Sequence, residues 1–241
     1  MSLPTVQTLY AVIDITWPAS EKQALGPWMI RHGSGGGNRV SATTAERAVT
    51  DDDIPQAEAA MRSAGQRPLF MIRDGDEVLD QSLAARGYVV RDITNFYAAP
   101  IAGIATERPP PVTSFEVWPP LAAQIEIWAQ GGIGAGRLAV MERAPHPKTT
   151  LLGRMNDRPA GTGYVAIAKQ CAMIHALEIG QQHRRQGLAR HLTRAAAFWA
   201  QDKGADYLTL VTTRANEGAN ALYSSLGMTL VGHYHYRTLP E

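Results

Sequence analysis

The residues best suited to chemistry lie between Arg184 and Tyr223. The hexapeptide Arg184-Arg185-Gln186-Gly187-Leu188-Ala189 follows an apolar, strand-like run and opens an amphipathic helix. A helix start exposes N–H groups without intrahelical acceptors, together with the positive end of the dipole, so it suits an anion. Gly187 and Ala189 are small enough for a diphosphate to approach the backbone, and Arg184 and Arg185 add positive charge at the same place. Taken alone, the hexapeptide reads equally well as an ordinary strand-to-helix loop with exposed arginines. Downstream, the run Leu210 to Tyr223 places Asn216, Ala219 and Tyr223 on a short helix that follows a strand and is closed by Gly227-Met228.

In combination, these two segments resemble the GNAT superfamily of N-acetyltransferases. That family pairs an Arg/Gln-x-x-Gly-x-Gly/Ala loop with a strand, an Asn, an Ala three residues on, then Leu-Tyr and a glycine close. The similarity covers residues 112–237 and is strongest from Met173 to Met228. It implies acetyl-CoA as cosubstrate, with no metal. Backbone amides of Arg184, Arg185, Gln186, Gly187, Leu188 and Ala189 would hold the pyrophosphate. Main-chain groups of Leu177 and Ile179 would pair with the pantetheine arm as an added strand, Asn216 would hydrogen-bond that arm, and Ala219 would leave room for it. Tyr223 would protonate the departing thiolate; without the Asn216 context it reads as an amphipathic core tyrosine.

Acetyl transfer to an amine passes through a tetrahedral intermediate, and a positioned O–H can protonate the leaving sulfur. The acceptor must first lose a proton. His175 is one candidate base, because its unperturbed pKa lies near neutrality, and His175-Ala176-Leu177 resembles the corresponding strand of arylalkylamine N-acetyltransferases. Glu178 is its rival. Strict alternation puts His175, Leu177 and Ile179 on one face and Glu178 on the other, unless a bulge breaks the alternation. The alternatives are a hydrogen-bonded core histidine and a solvated glutamate, and both residues stay open at this stage.

The elements that must position these groups alternate along the chain. In the front half, Trp28 to Arg31 and Arg39 to Thr43 read as strands joined by the flexible glycine run Gly33 to Asn38. That run lacks the following helix and Gly-Lys-Ser/Thr ending of a phosphate loop. Thr50 is expected to cap a helix beginning with Asp51-Asp52-Asp53. A strand (Leu69 to Arg73), a helix (Leu79 to Arg86) and a strand (Tyr88 to Ala98) follow. In the back half, Ser114 to Trp118 is a strand. Helices between Leu121 and Glu142, with Trp128 and Arg137, belong on the acceptor side. Strands Thr149 to Asn156, Gly161 to Ala168 and Met173 to Ile179 lead to the anion loop. A helix with apolar residues at Leu188, Leu192, Ala195, Ala196 and Trp199 comes next, then strand Tyr207 to Thr212, helix Asn216 to Ser225 and strand Met228 to Arg237. The class that the resemblance implies for these elements is α/β (α+β): a mixed, mostly antiparallel central sheet flanked by helices, the GNAT fold, in duplicated form.

Duplication is suggested by Leu83-Ala84-Ala85-Arg86-Gly87-Tyr88, which parallels Tyr223-Ser224-Ser225-Leu226-Gly227-Met228. The first copy has Leu83 in place of Tyr223 and no arginine-glycine loop. A boundary is expected at Pro109-Pro110-Pro111, giving a degenerate GNAT-like unit over 1–108 and a catalytic one over 112–241. The front unit would shape the acceptor pocket or act as a scaffold.

Composition narrows the partners. The 241 residues are 45% hydrophobic and 19% charged, with a net charge of +1. No basic stripe argues for nucleic acid, and no run approaches the ~20 apolar residues that span a bilayer. Cytoplasmic residence is expected. Cys171, the sole cysteine, lies in an apolar run and reads as a buried, inert thiol, so transfer is expected by direct attack in a ternary complex. The acceptor, a small-molecule or protein amine, is not identified, and the oligomeric state is open, a homodimer included. The competing class is a non-catalytic acyl-CoA-binding sensor or scaffold.

Overall fold

The computed structural model describes residues 2–240. The first stretch forms α1 (Val6–Thr16), β1 (Glu21–Leu25), β2 (Trp28–His32), the single turn α2 (Asn38–Ser41), β3 (Thr44–Ala45), α3 (Ile54–Ser63), β4 (Leu69–Ile72), α4 (Glu77–Ala85), β5 (Val89–Pro100) and α5 (Ile101–Ile104). There follow β6 (Ser114–Val117), α6 (Ala122–Gln130), α7 (Ala135–Arg143), β7 (Lys148–Met155), β8 (Arg158–Ala168) and β9 (Cys171–Ile179). A 3₁₀ turn (Gln181–His183), α8 (Leu188–Asp202), β10 (Tyr207–Thr213), α9 (Glu217–Ser225) and β11 (Thr229–Thr238) complete the chain.

Eight strands make one sheet in the order β4-β11-β5-β10-β9-β8-β7-β6, and β1, β2 and β3 make a second, smaller one. Neighbours in the large sheet are antiparallel except β9 and β10. The small sheet meets the large one through a parallel bridge between Thr43 and Phe70. Helices cover both faces, so the mixed, mostly antiparallel sheet flanked by helices is as expected.

The two segments on either side of the proline cluster share this sheet. β5, from the front, lies between β10 and β11, and β11 lies between β4 and β5. Tyr97, Ala99, Ile101 and Ile104 join the same buried cluster as Leu188, Leu192, Trp199 and Tyr223. The units β4–α4–β5 and β10–α9–β11 are built alike. Each helix ends at a glycine with positive φ, Gly87 at +84° and Gly227 at +79°. The N–H of Tyr88 donates to the carbonyl of Leu83 at 3.0 Å, and that of Met228 to Tyr223 at 3.1 Å. A left-handed residue after a helix is where glycine avoids the Cβ penalty.

Packing explains where local reading succeeded and failed. On α8, Leu188, Leu192, Ala195, Ala196 and Trp199 are all buried, the apolar stripe that the spacing demands. Arg39 to Thr43 is not a strand. Asn38–Ser41 forms one helical turn, because Val40 alone is drawn into the core while Ser41 Oγ donates back to the Gly37 carbonyl at 3.1 Å. Thr50 does not cap α3. Its N–H and Oγ donate to Asp53 Oδ2 at 2.8 and 2.7 Å, closing a turn before the helix begins at Ile54. Nor is the glycine run a loose loop. A Cβ on Gly36 would meet Val40 and Val140 at 2.6 and 2.7 Å, so the run is pressed against α7. Cys171 is buried, and burial raises its pKa to about 11. Among the described residues, no helix is long and apolar enough to cross a membrane.

Candidate active site

The sheet opens at its one parallel seam. β9 and β10 pair only from Cys171–Tyr207 to Ile174–Leu210, and beyond that the strands part. The parting has a local cause. On the β8 side, the register jumps between Tyr164–His175 and Thr162–Glu178, and Ala176 takes φ +50°, so β9 carries a bulge at Ala176 and Leu177. A bulged residue loses ladder partners, and here the buried indole of Trp128 supplies one, its Nε1–H donating to the Ala176 carbonyl at 2.8 Å. Trp128 therefore fixes the bend, rather than touching an acceptor.

A cleft of about 640 Å³ fills the opening, bounded by β9, the start of α8 and the length of α9. Leu177, Glu178, Ile179, Arg184, Arg185, Gly187, Leu188, Ala189, Asn216, Ala219 and Tyr223 all line it, so most of the residues singled out by type and spacing come together. Gln186 and His175 are the exceptions: the Gln186 side chain turns away and donates to the Gln182 carbonyl at 3.1 Å, which leaves only its backbone on the loop, and His175 is buried away from the cleft. Arg185 and Gly187 both have positive φ, +62° and +87°, and this twists the chain into the first turn of α8. Among the described residues, the backbone N–H groups of Arg185 to Arg190 have no hydrogen-bond acceptor. An unpaired amide cluster at the start of a fifteen-residue helix, flanked by arginines, fits a diphosphate. The Ile179 carbonyl is already engaged, accepting from Arg184 Nε at 3.0 Å.

α9 is held from both ends of the chain. Asn216 caps it, with Oδ1 accepting from the Ala219 N–H at 3.1 Å. Asn220, which its sequence context did not mark, is the anchor. Its Nδ2 donates to the carbonyls of Asn216 and Thr213 at 2.7 and 3.0 Å, while its Oδ1 accepts from Asn95 Nδ2 and Tyr97 Oη at 3.1 and 3.0 Å. Asn95 and Tyr97 lie on β5, so the front half positions the helix that carries Tyr223. The Tyr223 ring is buried beside Tyr97, with centroids 5.9 Å apart. Burial raises its pKa well above the usual phenol value, so its proton stays on oxygen at neutral pH. Arg190 was also missed; it lines the cleft and donates from Nη2 to Ser225 Oγ at 2.8 Å, linking α8 to α9.

The two candidate bases have different surroundings. His175 is 3% exposed, stacks on Trp17 at 5.0 Å and does not line this cleft. Thr16 Oγ1 donates to the Val12 carbonyl at 2.8 Å and so accepts from His175 Nε2 at 2.9 Å. Nδ1 accepts from Arg39 Nη1 at 3.1 Å. Burial and the Arg39 charge push its pKa well below the usual histidine value. Both ring nitrogens are thus occupied, and the imidazole is held neutral. Glu178 lines the cleft, paired at its edge with Arg184 (Oε1 to Nη2, 3.0 Å). Its carboxylate leans over Gly131, where a Cβ would come within 2.7 Å.

Residues 109–228 match the model of the acetyltransferase (GNAT) family. Over 235 residues the chain is 24% identical to the uncharacterized N-acetyltransferase YobR of Bacillus subtilis, an overlap of 92% of this chain and 94% of that protein. It is 35% identical to N-acetyltransferase 8 of Mus musculus over 66 residues, 27% of this chain and 29% of the mouse protein. Among solved structures, a GCN5-related N-acetyltransferase from Kribbella flavida superposes with a TM-score of 0.73 at 20% identity, covering 97% of this chain and 95% of that one. A tandem GNAT protein from the clavulanic acid biosynthesis pathway superposes with a TM-score of 0.61 at 13% identity, covering 83% and 76%. The fold is shared with both.

Proposed function

From the match of residues 109–228 to the acetyltransferase (GNAT) family model, we propose that the protein is a member of that family, an acetyl-CoA-dependent N-acetyltransferase working by direct attack in a ternary complex. The observation that carries this reading is the convergence, in one cleft, of the unpaired amides of the Arg184–Ala189 loop with the protonated Tyr223 hydroxyl. The loop and its two arginines bind the diphosphate of the donor, and Asn216 and Ala219 border its arm. Glu178 takes the proton from the acceptor ammonium. The freed amine adds to the acetyl carbonyl, the second proton of the attacking nitrogen leaves to solvent, and as the carbon–sulfur bond breaks Tyr223 passes its proton to sulfur and recovers one from solvent. His175 holds the end of α1 and Arg39 in place, acting as a positioning residue.

On this reading the front half is a second, degenerate copy that supports the first. Where α8 begins with arginines, α3 begins after Asp51-Asp52-Asp53, whose charges repel a diphosphate. Where β9 and β10 part, the corresponding gap between β3 and β4 is closed by Arg73, which donates to the Ala45 carbonyl and pairs with Glu46 at 3.4 Å. One donor site per chain follows, and the front copy serves the back one through Asn95, Tyr97 and the His175–Thr16 contact.

The test is release of CoA from acetyl-CoA across an amine panel, with Tyr223→Phe as control. Amine-dependent release that falls about 10²-fold or more in the variant supports the assignment. Tight acetyl-CoA binding with no release on any amine, in either protein, would instead favour a sensor.

A further inference from the structure

A second cleft, of about 410 Å³, shares Asn216 with the donor cleft but is bounded by different elements: the glycine run, α2, α7 and the ends of β5, β10 and β11. Two guanidinium groups enter it, Arg39 from the front half and Arg137 from the back. Neither has a carboxylate partner among the described residues. Arg39 donates to His175 Nδ1, is also held by the hydroxyls of Tyr234 and Tyr236 in the cleft wall, and lies 5.7 Å from the Trp17 ring, while its Nε is buried with no acceptor. Arg137 makes no side-chain hydrogen bond at all among the described residues. It crosses Gly37, where a Cβ would lie 3.3 Å from its Nε and where φ is +91°, so a side chain there would displace it. The glycine run thus keeps this arginine in the cleft. Asp92 is the one carboxylate in the wall, accepting from Asn38 Nδ2 at 3.3 Å.

An arginine stays protonated wherever it is placed, so a half-buried pair without counter-ions is costly until an anion arrives. The planar fork of each guanidinium fits a carboxylate or phosphate in two-point fashion. The cleft has the size of a small-molecule pocket, and it reaches Ala176 and Thr213 at the mouth of the β9–β10 opening. We infer that it receives the acceptor by an anionic group: the substrate is a small amine that also bears a carboxylate or a phosphate, held by Arg39 and Arg137 with its amine toward Asn216. This rests on the acetyltransferase reading above and names its acceptor class.

The experiment uses matched amines, alanine and phenylalanine against their carboxamides and phosphoethanolamine against ethanolamine. Each is titrated calorimetrically into the CoA-saturated protein and assayed for acetyl transfer. In at least one arm, the anionic member binds and reacts about 10- to 100-fold better than its neutral partner, the scale of a hydrogen-bonded charge. The arm that shows it separates carboxylate from phosphate. Arg137→Gln, at a half-exposed position, lowers that preference about tenfold. Equal binding within every pair, no binding of any anionic member, or a preference that survives Arg137→Gln overturns the inference. Anion-selective binding without transfer supports the cleft and refutes the enzyme; transfer at equal rates within every pair does the reverse.

Discussion

Replacing His175 by Gln separates a structural imidazole from a catalytic one. The ring is buried, neutral and bonded through both nitrogens, with its folded-state pKa pushed well below the ordinary histidine value. The unfolded chain titrates near 6.5 and binds the proton first, so this group's contribution is complete above pH ~6.5 and is lost as the pH falls below it. Each pH unit over which the unfolded chain holds this proton and the folded imidazole does not costs about 1.4 kcal/mol. For a chain of this size that corresponds to roughly 3–6 °C in Tm. Glutamine offers one donor and one acceptor to Thr16 and Arg39 but does not titrate. We expect His175→Gln to lose about 1–2 kcal/mol at pH 7 from imperfect hydrogen bonds, and to show a Tm difference between pH 7 and 5.5 that is smaller by that histidine increment. Its kcat for acetyl transfer should stay within about threefold of the parent, because hydrogen-bond repair here does not touch the donor cleft. Thermal unfolding at the two pH values and a pH–rate profile on the same preparations decide it. A kcat that collapses together with the disappearance of a near-neutral kinetic pKa, at unchanged Tm, would refute this reasoning and return the base to His175.

Three other substitutions probe the remaining links. Glu178→Gln should lower kcat about a hundredfold at neutral pH, with acetyl-CoA affinity read separately by titration; an unchanged kcat would remove Glu178 from proton transfer. Asn220→Ala severs the ties from β5 to α9, so unfolding should cost about 1–3 kcal/mol less and kcat should fall while a distant surface variant does neither. Trp128→Phe leaves the bulged Ala176 carbonyl without its donor and should destabilise by about 1–3 kcal/mol in urea titration, with KM for the donor rising as the β9–β10 opening loses definition; a variant as stable as the parent would mean that water replaces the indole.

The donor side of the molecule was legible along the chain because its parts are local. An arginine-glycine loop at a strand-to-helix junction binds anions through the backbone of a few consecutive residues, and Asn216, Ala219 and Tyr223 sit on a single nine-residue helix and its cap. The stripe on α8 follows from period alone, and the sheet class from the resemblance that the loop and α9 carry. Short elements were less readable. α2 is one turn whose conformation is set by Val40 seeking the core, and α1, rich in β-branched residues, announces no helix until its face meets β8 and β9.

What the sequence by itself determined is therefore the anion loop and the chemistry of its helix, since both arise from neighbours in the chain. The tertiary structure alone decided three things. It decided that β5 and β11 exchange places in one sheet, because strand pairing joins residues far apart in sequence. It took His175 out of the candidate pair of bases by burying it against Thr16 and Arg39, partners more than a hundred positions away. And it brought Arg39 and Arg137 into one cleft across a glycine run that, read linearly, had looked like slack. Charge without a partner is a property of space, and no spacing along the chain reports it.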